Sequence, residues 1–262
     1  MQEYYYHAID PVMFHLGSFQ VRWYGVAYFV TMLFVGVVGS RMAKRYPQDF
    51  PENTFWDMLP WVVLGMVAGG RLGDMLFYSP RLFLTDPLFI FRIWEPGLSF
   101  HGGLIGVVLA LIFFCRTKKI SIIKLLDAAA VLAPAGILLV RMGNFINGEL
   151  YGRVTDVAWA VVFPSGGEAP RHPSQLYEGF LEGGVLFVVL WFSYPKLRAR
   201  PGEASSLFLI LYGIARYFAE FFREPDAIGF LSVPAHLFSM GQFLSLLMVV
   251  AGVFVRMLVR RR

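Results

Sequence analysis

Cysteine is nearly absent from the chain: Cys115 is its only one. A single thiol forms no intrachain disulfide and no multi-cysteine metal site. It closes an apolar run ahead of Arg116, Lys118 and Lys119, and reads as a small structural hydrophobe rather than a nucleophile. Charge is also scarce. Only 16% of residues are Asp, Glu, Lys or Arg, against roughly 25% in an ordinary soluble domain. With 57% of residues hydrophobic, a soluble core could not hide the apolar surface. Several signatures of chemistry are missing as well. There is no G-x-S-x-G elbow, H-E-x-x-H, P-loop or G-x-G-x-x-G, so covalent serine catalysis, zinc hydrolysis and nucleotide use lack support. No fixed-period repeat, low-complexity segment or soluble linker stands out, and one transmembrane domain over residues 1–262 is expected.

What the chain has instead is apolar blocks of about 20 residues, long enough to cross roughly 30 Å of hydrocarbon at about 1.5 Å per helical residue. They predict an all-α integral membrane protein of about seven helices. The spans fall at Trp23 to Met42, Met58 to Tyr78, Leu98 to Cys115, Ile122 to Val140, Pro173 to Tyr194, Ala204 to Phe222, and Pro234 to Val255. The first block is too long for the h-region of a cleavable signal and has no basic n-region beyond Arg22, so it is expected to remain as a span.

An odd number of spans puts the termini on opposite sides. Fourteen Lys and Arg residues, including Lys44, Lys118, Arg198 and Arg260, fall on one side, and five, namely Arg81, Arg92, Arg153, Arg171 and Arg223, on the other. The positive-inside rule then makes the C-terminus cytoplasmic and the N-terminus external. The net charge of +5 and pI near 9.4 therefore report topology and lipid contact, not a nucleic-acid partner.

Four arginines remain, Arg22, Arg71, Arg141 and Arg216, within or at the outer ends of spans. At the centre of a membrane helix an arginine costs roughly 2.5–3.5 kcal/mol on insertion scales, so such residues face a wet cavity, a partner or a ligand. Arg22 lies where snorkelling suffices. Arg71, followed by Gly73 and Asp74, reads equally as half of a structural ion pair or as a ligand group. The spacings Gly65/Gly69/Gly73 and Gly102/Gly106 allow close helix contact.

Polar residues gather in four places. Arg141 to Arg153, RMGNFINGELYGR, follows an apolar span and combines arginine, Asn144, Asn147, Glu149 and three glycines at one depth, which suits a pocket better than a plain exit loop. Gly97 to Gly106 sets His101 at the start of a span, with two glycines after it that permit close approach. Tyr212, Arg216, Glu220 and Arg223 recur at helical spacing and line one face. Glu220 reads either as a pairing partner of Arg216 or as part of the site. Arg171 to Glu178, RHPSQLYE, leads into a span, where Ser174, Gln175 and Glu178 either cap the helix or face the pocket. Arginine's planar fork binds phosphate oxygens bidentately, so a phospholipid head group is the natural ligand.

GLSFHGGLIG, RMGNFINGELYGR, RHPSQLYE and ARYFAEFFREPD, in this order and with RWYG at the first span and SMGQ at the last, resemble the prolipoprotein diacylglyceryl transferase family over nearly the whole chain. The resemblance implies transfer of the diacylglyceryl group of phosphatidylglycerol to the lipobox cysteine of a preprolipoprotein, giving a thioether and releasing glycerol phosphate, the first step of bacterial lipoprotein maturation. It implies the bacterial inner membrane, a site toward the periplasm among short periplasmic arms or loops, and no metal or organic cofactor. The nucleophile then comes from the substrate. The family's functional positions fall on Tyr24, His101, Arg141, Asn144, Gly152, Arg216 and Glu220, each inside a matching motif. Arg141 and Arg216 would hold the phosphate and stabilise the leaving oxygen. His101 would act as base or positioning donor. Asn144, Asn147, Gly152 and Glu220 would shape the phosphatidylglycerol site, and Tyr24 would orient the glycerol or lie beside the sulfur. The stretch between Arg153 and Arg171 is shorter than in some relatives, and any contact made through their longer insertion is not carried over. The rival reading, a small transporter or lipid-binding membrane protein, predicts two related halves with interrupted helices, an internal symmetry the chain does not display.

Overall fold

A computed structural model describes residues 4–17, 19–92, 95, 97–224 and 238–261. The first helix, α1, runs Trp23–Arg45. Next come α2 at Thr54–Gly73, continued by a π turn at Asp74–Tyr78, and the short α3 at Pro80–Thr85. After these come α4 at Phe100–Lys118, α5 at Ile122–Ile146, and α6 at Ser174–Leu197 with a π-helical stretch at Gly179–Val185. The series ends with α7 at Glu203–Ala219 and α8 at Met240–Arg261. Each expected span coincides with a helix. Residues 234–237 of the last expected span lie outside the described residues.

Five helices, α1, α4, α5, α6 and α8, are long and apolar enough to cross a membrane. The other two fall short for visible reasons: α2 carries Asp57 and Arg71, and α7 has 17 residues with Glu203 and Arg216 inside it. Polarity is inverted relative to a soluble protein. Phe100, Phe192, Phe77 and Leu64 are 69–78% exposed, while Arg71, Asp127, Asn144, Glu178 and Glu182 are at most 2% exposed. Large apolar side chains pointing outward are at rest only in hydrocarbon.

The chain also forms short strands that composition did not predict. β1 at Tyr5–Tyr6 pairs in parallel with β4 at Val161–Val162, which pairs antiparallel with β5 at Pro170–Arg171. A hairpin joins β2 at Val12–Leu16 to β3 at Phe19–Arg22, with Gly17 at φ +62°. These segments lie outside the expected spans, and pairing satisfies backbone groups that no helix serves.

The chain divides into two compact units, residues 34–125 and residues 1–33 with 126–262. In the first, α2 and α4 run antiparallel with glycines interlocked. A Cβ on Gly106 would lie 2.0 Å from the Gly65 carbonyl oxygen, and one on Gly102 would lie 2.3 Å from that of Gly69. The expected close approach of these glycine spacings is therefore real. Ser99 caps α4, accepting from the Gly102 amide at 3.2 Å, and Lys118 pairs with Asp57 at 2.6 Å at the opposite end. An apolar groove of about 420 Å³ runs along the two helices beside Leu72, Ile105 and Leu109.

In the second unit α7 and α8 are likewise antiparallel. Gly213 packs on the Ser245 carbonyl and Gly252 on that of Ser206, while Glu203 pairs with Arg260 at 2.7 Å. Buried Asp127 of α5 receives the Gly202 and Ser205 amides at 2.7 and 2.8 Å, which caps the start of α7 from another helix. At the head of α8, Ser239 and Gln242 form a reciprocal capping box, each side chain bonded to the other's amide at 3.1 Å.

Candidate active site

The helix α5 continues two turns past the expected end at Val140, so Arg141 and Asn144 belong to its last turns instead of a loop. Opposite it, α6 presents Gly179 and Gly183. A Cβ on Gly183 would sit 2.7 Å from Leu138, and one on Gly179 would sit 3.2 Å from the Cβ of Arg141. The missing side chains let the π-helical stretch press onto α5 at that level, and the preceding residues, Glu178 and Glu182, meet the guanidinium. Nη2 of Arg141 is 2.6 Å from Oε2 of Glu178 and 3.9 Å from Oε2 of Glu182.

From α7, Arg216 reaches the same carboxylate: its Nη1 is 2.6 Å from Oε2 of Glu178 and 3.6 Å from Oε1 of Glu182, while Nη2 is 2.7 Å from Oε2 of Glu220. Arg223 adds a third guanidinium, with Nη1 3.4 Å from Oε2 of Glu178. Glu220 is held in turn by the Ser239 hydroxyl, which donates at 3.0 Å, and a Cβ on Gly241 would lie 2.6 Å from its carboxylate. The SMGQ segment therefore supplies a hydroxyl, a helix start and an open place for Glu220. The carboxylates of Glu178 and Glu182 are fully buried, but Arg141 and Arg216 keep 16% and 14% of their side-chain surface. An anion arriving from outside meets cations first.

A second cluster surrounds the turn after α5. Buried Asn144 donates from Nδ2 to Oε1 of Glu149 at 2.8 Å, and Gln175 donates to the Glu149 carbonyl at 2.7 Å. Ser174 bonds the Leu150 carbonyl at 3.2 Å, so the start of α6 holds this turn in place. Gly148, at φ +64°, lies against the ring of His7, where a Cβ would be 3.3 Å from Nδ1. Oδ1 of Asn147 is buried without a hydrogen-bond partner among the described residues. Tyr24 joins from α1. Its ring would touch a Cβ on Gly143 at 3.0 Å and meets the ring of Tyr28 edge-on, with centroids 5.1 Å apart.

Gly152 ties three segments together. Its amide donates to the His172 carbonyl at 2.8 Å, and an added Cβ would lie 2.3 Å from the Phe222 carbonyl and 2.7 Å from His172. Its neighbour Arg153 bonds the Phe222 and Arg223 carbonyls at 2.9 and 3.0 Å. Gly152 therefore keeps the loop against the segment after α7 that carries Arg223. Burial pushes the His172 imidazole below its ordinary titration range.

Of the residues singled out in the sequence, Arg141 and Arg216 meet on Glu178 with Glu220 paired to Arg216, and Tyr24, Asn144 and Asn147 surround the neighbouring turn. His101 belongs to the other unit. It is exposed at the first turn of α4, with its ring edge-on to Phe100 at 5.6 Å. Arg71, also in that unit, donates from Nη1 to the Gly97 carbonyl at 2.8 Å and from Nη2 to the carbonyls of Arg92 and Glu95, with its guanidinium 4.9 Å from the Phe89 ring. These hydrogen bonds are to backbone carbonyls and hold the segment before α4. Glu182 escaped the sequence reading, and Glu178 was read as cap or pocket residue. The signal was available, because two carboxylates four apart in an apolar span require cations beside them. Among the described residues, no group of three His, Cys, Asp or Glu side chains suits a metal ion.

A helical membrane protein with a buried arginine and glutamate cluster is the class these features define. A model of the prolipoprotein diacylglyceryl transferase family matches residues 11–258, and the chain belongs to that family. It is similar to the phosphatidylglycerol–prolipoprotein diacylglyceryl transferase of Rhodospirillum rubrum, with 47% identity over 97% of this chain and 93% of the relative. The Geobacter sulfurreducens protein of the same name is 48% identical over 97% of this chain and 96% of its own length. That of Vibrio cholerae is 48% identical over 94% and 89%.

Proposed function

We propose that this protein transfers the sn-1,2-diacylglyceryl group from phosphatidylglycerol to the cysteine thiol of a prolipoprotein. The observation that carries this reading is the convergence of Arg141 and Arg216 on one oxygen of Glu178. Their nearest nitrogens lie within one phosphate group's reach of each other, with side-chain surface still open. Two guanidinium groups so paired offer several N–H donors to one phosphodiester.

The substrate sulfur attacks the diacylglyceryl CH2 that bears the phosphate ester. A C–S bond forms, the C–O bond breaks, and its electron pair passes to the phosphate oxygen of departing glycerol phosphate. Charge grows on that oxygen, where fixed cations in a water-poor site act most strongly. The thiol, with an ordinary pKa of about 8.5, gives its proton to a base or ionises in the positive field. His101 serves as that base or positions the reactants, with arginine electrostatics dominant. The Asn144 and Asn147 turn, Gly152 and Tyr24 shape the head-group site.

The whole chain, residues 1–262, acts as one transmembrane domain of seven spans in the bacterial inner membrane, with its site toward the periplasm and its C-terminus in the cytoplasm. The inverted polarity of the surface and the sidedness of Lys and Arg support this placement. The test is incubation of purified protein with labelled phosphatidylglycerol and a lipobox peptide. A cysteine-linked diacylglyceryl product, absent with a cysteine-to-serine peptide, is expected. Lipid recovered chemically unchanged would sink the reading in favour of a carrier.

A further inference from the structure

Glu178 stands out among the buried groups, because the mechanism above gives it no part. Three guanidinium groups from two helices and the segment after α7 approach one of its oxygens, at 2.6 Å for Arg141, 2.6 Å for Arg216 and 3.4 Å for Arg223. Without a carboxylate there, three like charges at short range would repel and separate. The surrounding charges do not replace it. Among the described arginines Glu220 pairs with Arg216 alone, through Nη2 at 2.7 Å, and Glu182 stands off at 3.6 and 3.9 Å.

We propose that Glu178 is a positioning residue that draws Arg141, Arg216 and Arg223 into a single clamp for the lipid phosphate. This rests on the transferase reading and deepens it. Exposure sets the direction of action. Glu178 has no exposed side-chain surface, whereas Arg141, Arg216 and Arg223 retain 16%, 14% and 13%. The carboxylate binds the cations from the protein side, and their free donors meet the phosphate from the other. Glu178 therefore prepares the arginines without touching substrate. Its local backbone follows from the same need, since Gly179 permits the approach to Arg141 that a side chain would hinder.

Two opposite effects follow from removing the charge, and the experiment separates them. Positioning predicts looser phosphate binding, because the arginines are no longer convergent. Competition between carboxylate and phosphate predicts tighter binding. The measurement is steady-state transfer by the purified full-length protein in mixed micelles, varying the phosphatidylglycerol fraction and the lipobox-peptide concentration separately. For Glu178→Gln we expect KM for phosphatidylglycerol to rise on the order of tenfold or more, the scale of one lost charge-assisted hydrogen bond. KM for the peptide stays unchanged. Glu178→Asp retracts the oxygen by about one bond length of 1.5 Å but keeps the charge, and gives a smaller rise in the same parameter alone.

An unchanged or lowered KM for phosphatidylglycerol in either variant overturns the proposal, as does an equal rise for both substrates. Should Glu178→Gln fail to fold, Glu178→Asp decides alone. A wild-type protein that makes no thioether product removes the transferase reading itself, whereas active wild type with lipid-indifferent variants removes only the role of Glu178.

Discussion

Arg141 illustrates how a guanidinium becomes tolerable at membrane depth and useful there. Its cost in hydrocarbon is offset by Glu178 at 2.6 Å, and part of its surface stays open for an anion. Arg141→Ala removes one of the clamp's three arginines and leaves Glu178 with Arg216 at 2.6 Å and Arg223 at 3.4 Å. Transfer is expected to fall below detection. His101→Gln keeps a hydrogen-bonding side chain of similar size at the start of α4, and measurable transfer should persist, lowered by at most the roughly 10² to 10⁴ typical of losing a general base. Product formation from labelled lipid ranks the two. Equal and total loss in both, with normal folding, would make the imidazole as indispensable as the guanidinium and overturn the primacy of arginine electrostatics. The arginines were legible in the sequence because a charge in an apolar run is conspicuous. Their partners were less so. Glu178 and Glu182, four apart in an apolar span, call for cations, but only the approach of α6 to α5, made possible by Gly179 and Gly183, decides which cation each one meets.

At the scale of elements, hydropathy located the helices but blurred their ends. Polarity changes gradually through Arg141 to Ile146, and backbone hydrogen bonding carries α5 on regardless, so the helix outlasts its apolar block. The strands were invisible for a related reason: two-residue ladders such as β1 with β4 follow from tertiary pairing and have no period to detect. Glycine spacing was the more reliable guide. Gly106 and Gly65 meet backbone to backbone, so no flexible side chain can yield. Gly106→Ala should destabilise the α2 and α4 pair by about 1–3 kcal/mol, the range for overpacking a tight contact. Gly184→Ala, where an added Cβ meets nothing within 4 Å, should be neutral. Thermal unfolding in detergent compares them. A Gly106→Ala transition that matches wild type would show that the helices do not pack this closely.

At the scale of the whole molecule, two contacts bear on how many helices cross. The α2 helix is too polar to register as a span by composition, yet it lies antiparallel to α4 from the Asp57–Lys118 pair to the Gly73–Gly102 contact. If seven spans cross, as proposed, this packing is what would carry α2 through the bilayer beside α4. The same argument carries α7 beside α8, from Glu203–Arg260 to Glu220–Ser239. Sidedness agrees. Arg41, Lys44 and Arg45 after the first span share a side with Arg116, Lys118 and Lys119 only if α2 crosses between them. Single cysteines placed in a Cys115→Ala background test this directly with a membrane-impermeant maleimide on cells whose outer membrane is permeabilised. Gln48→Cys, exposed between α1 and α2, should label only after the inner membrane is opened, whereas Glu168→Cys, exposed between α5 and α6, should label beforehand. Early labelling at position 48 but not at 168 would invert the sidedness and remove the external placement of the arginine clamp, whereas both positions labelling at the same stage would remove the crossing of α2 and with it the seven-span count.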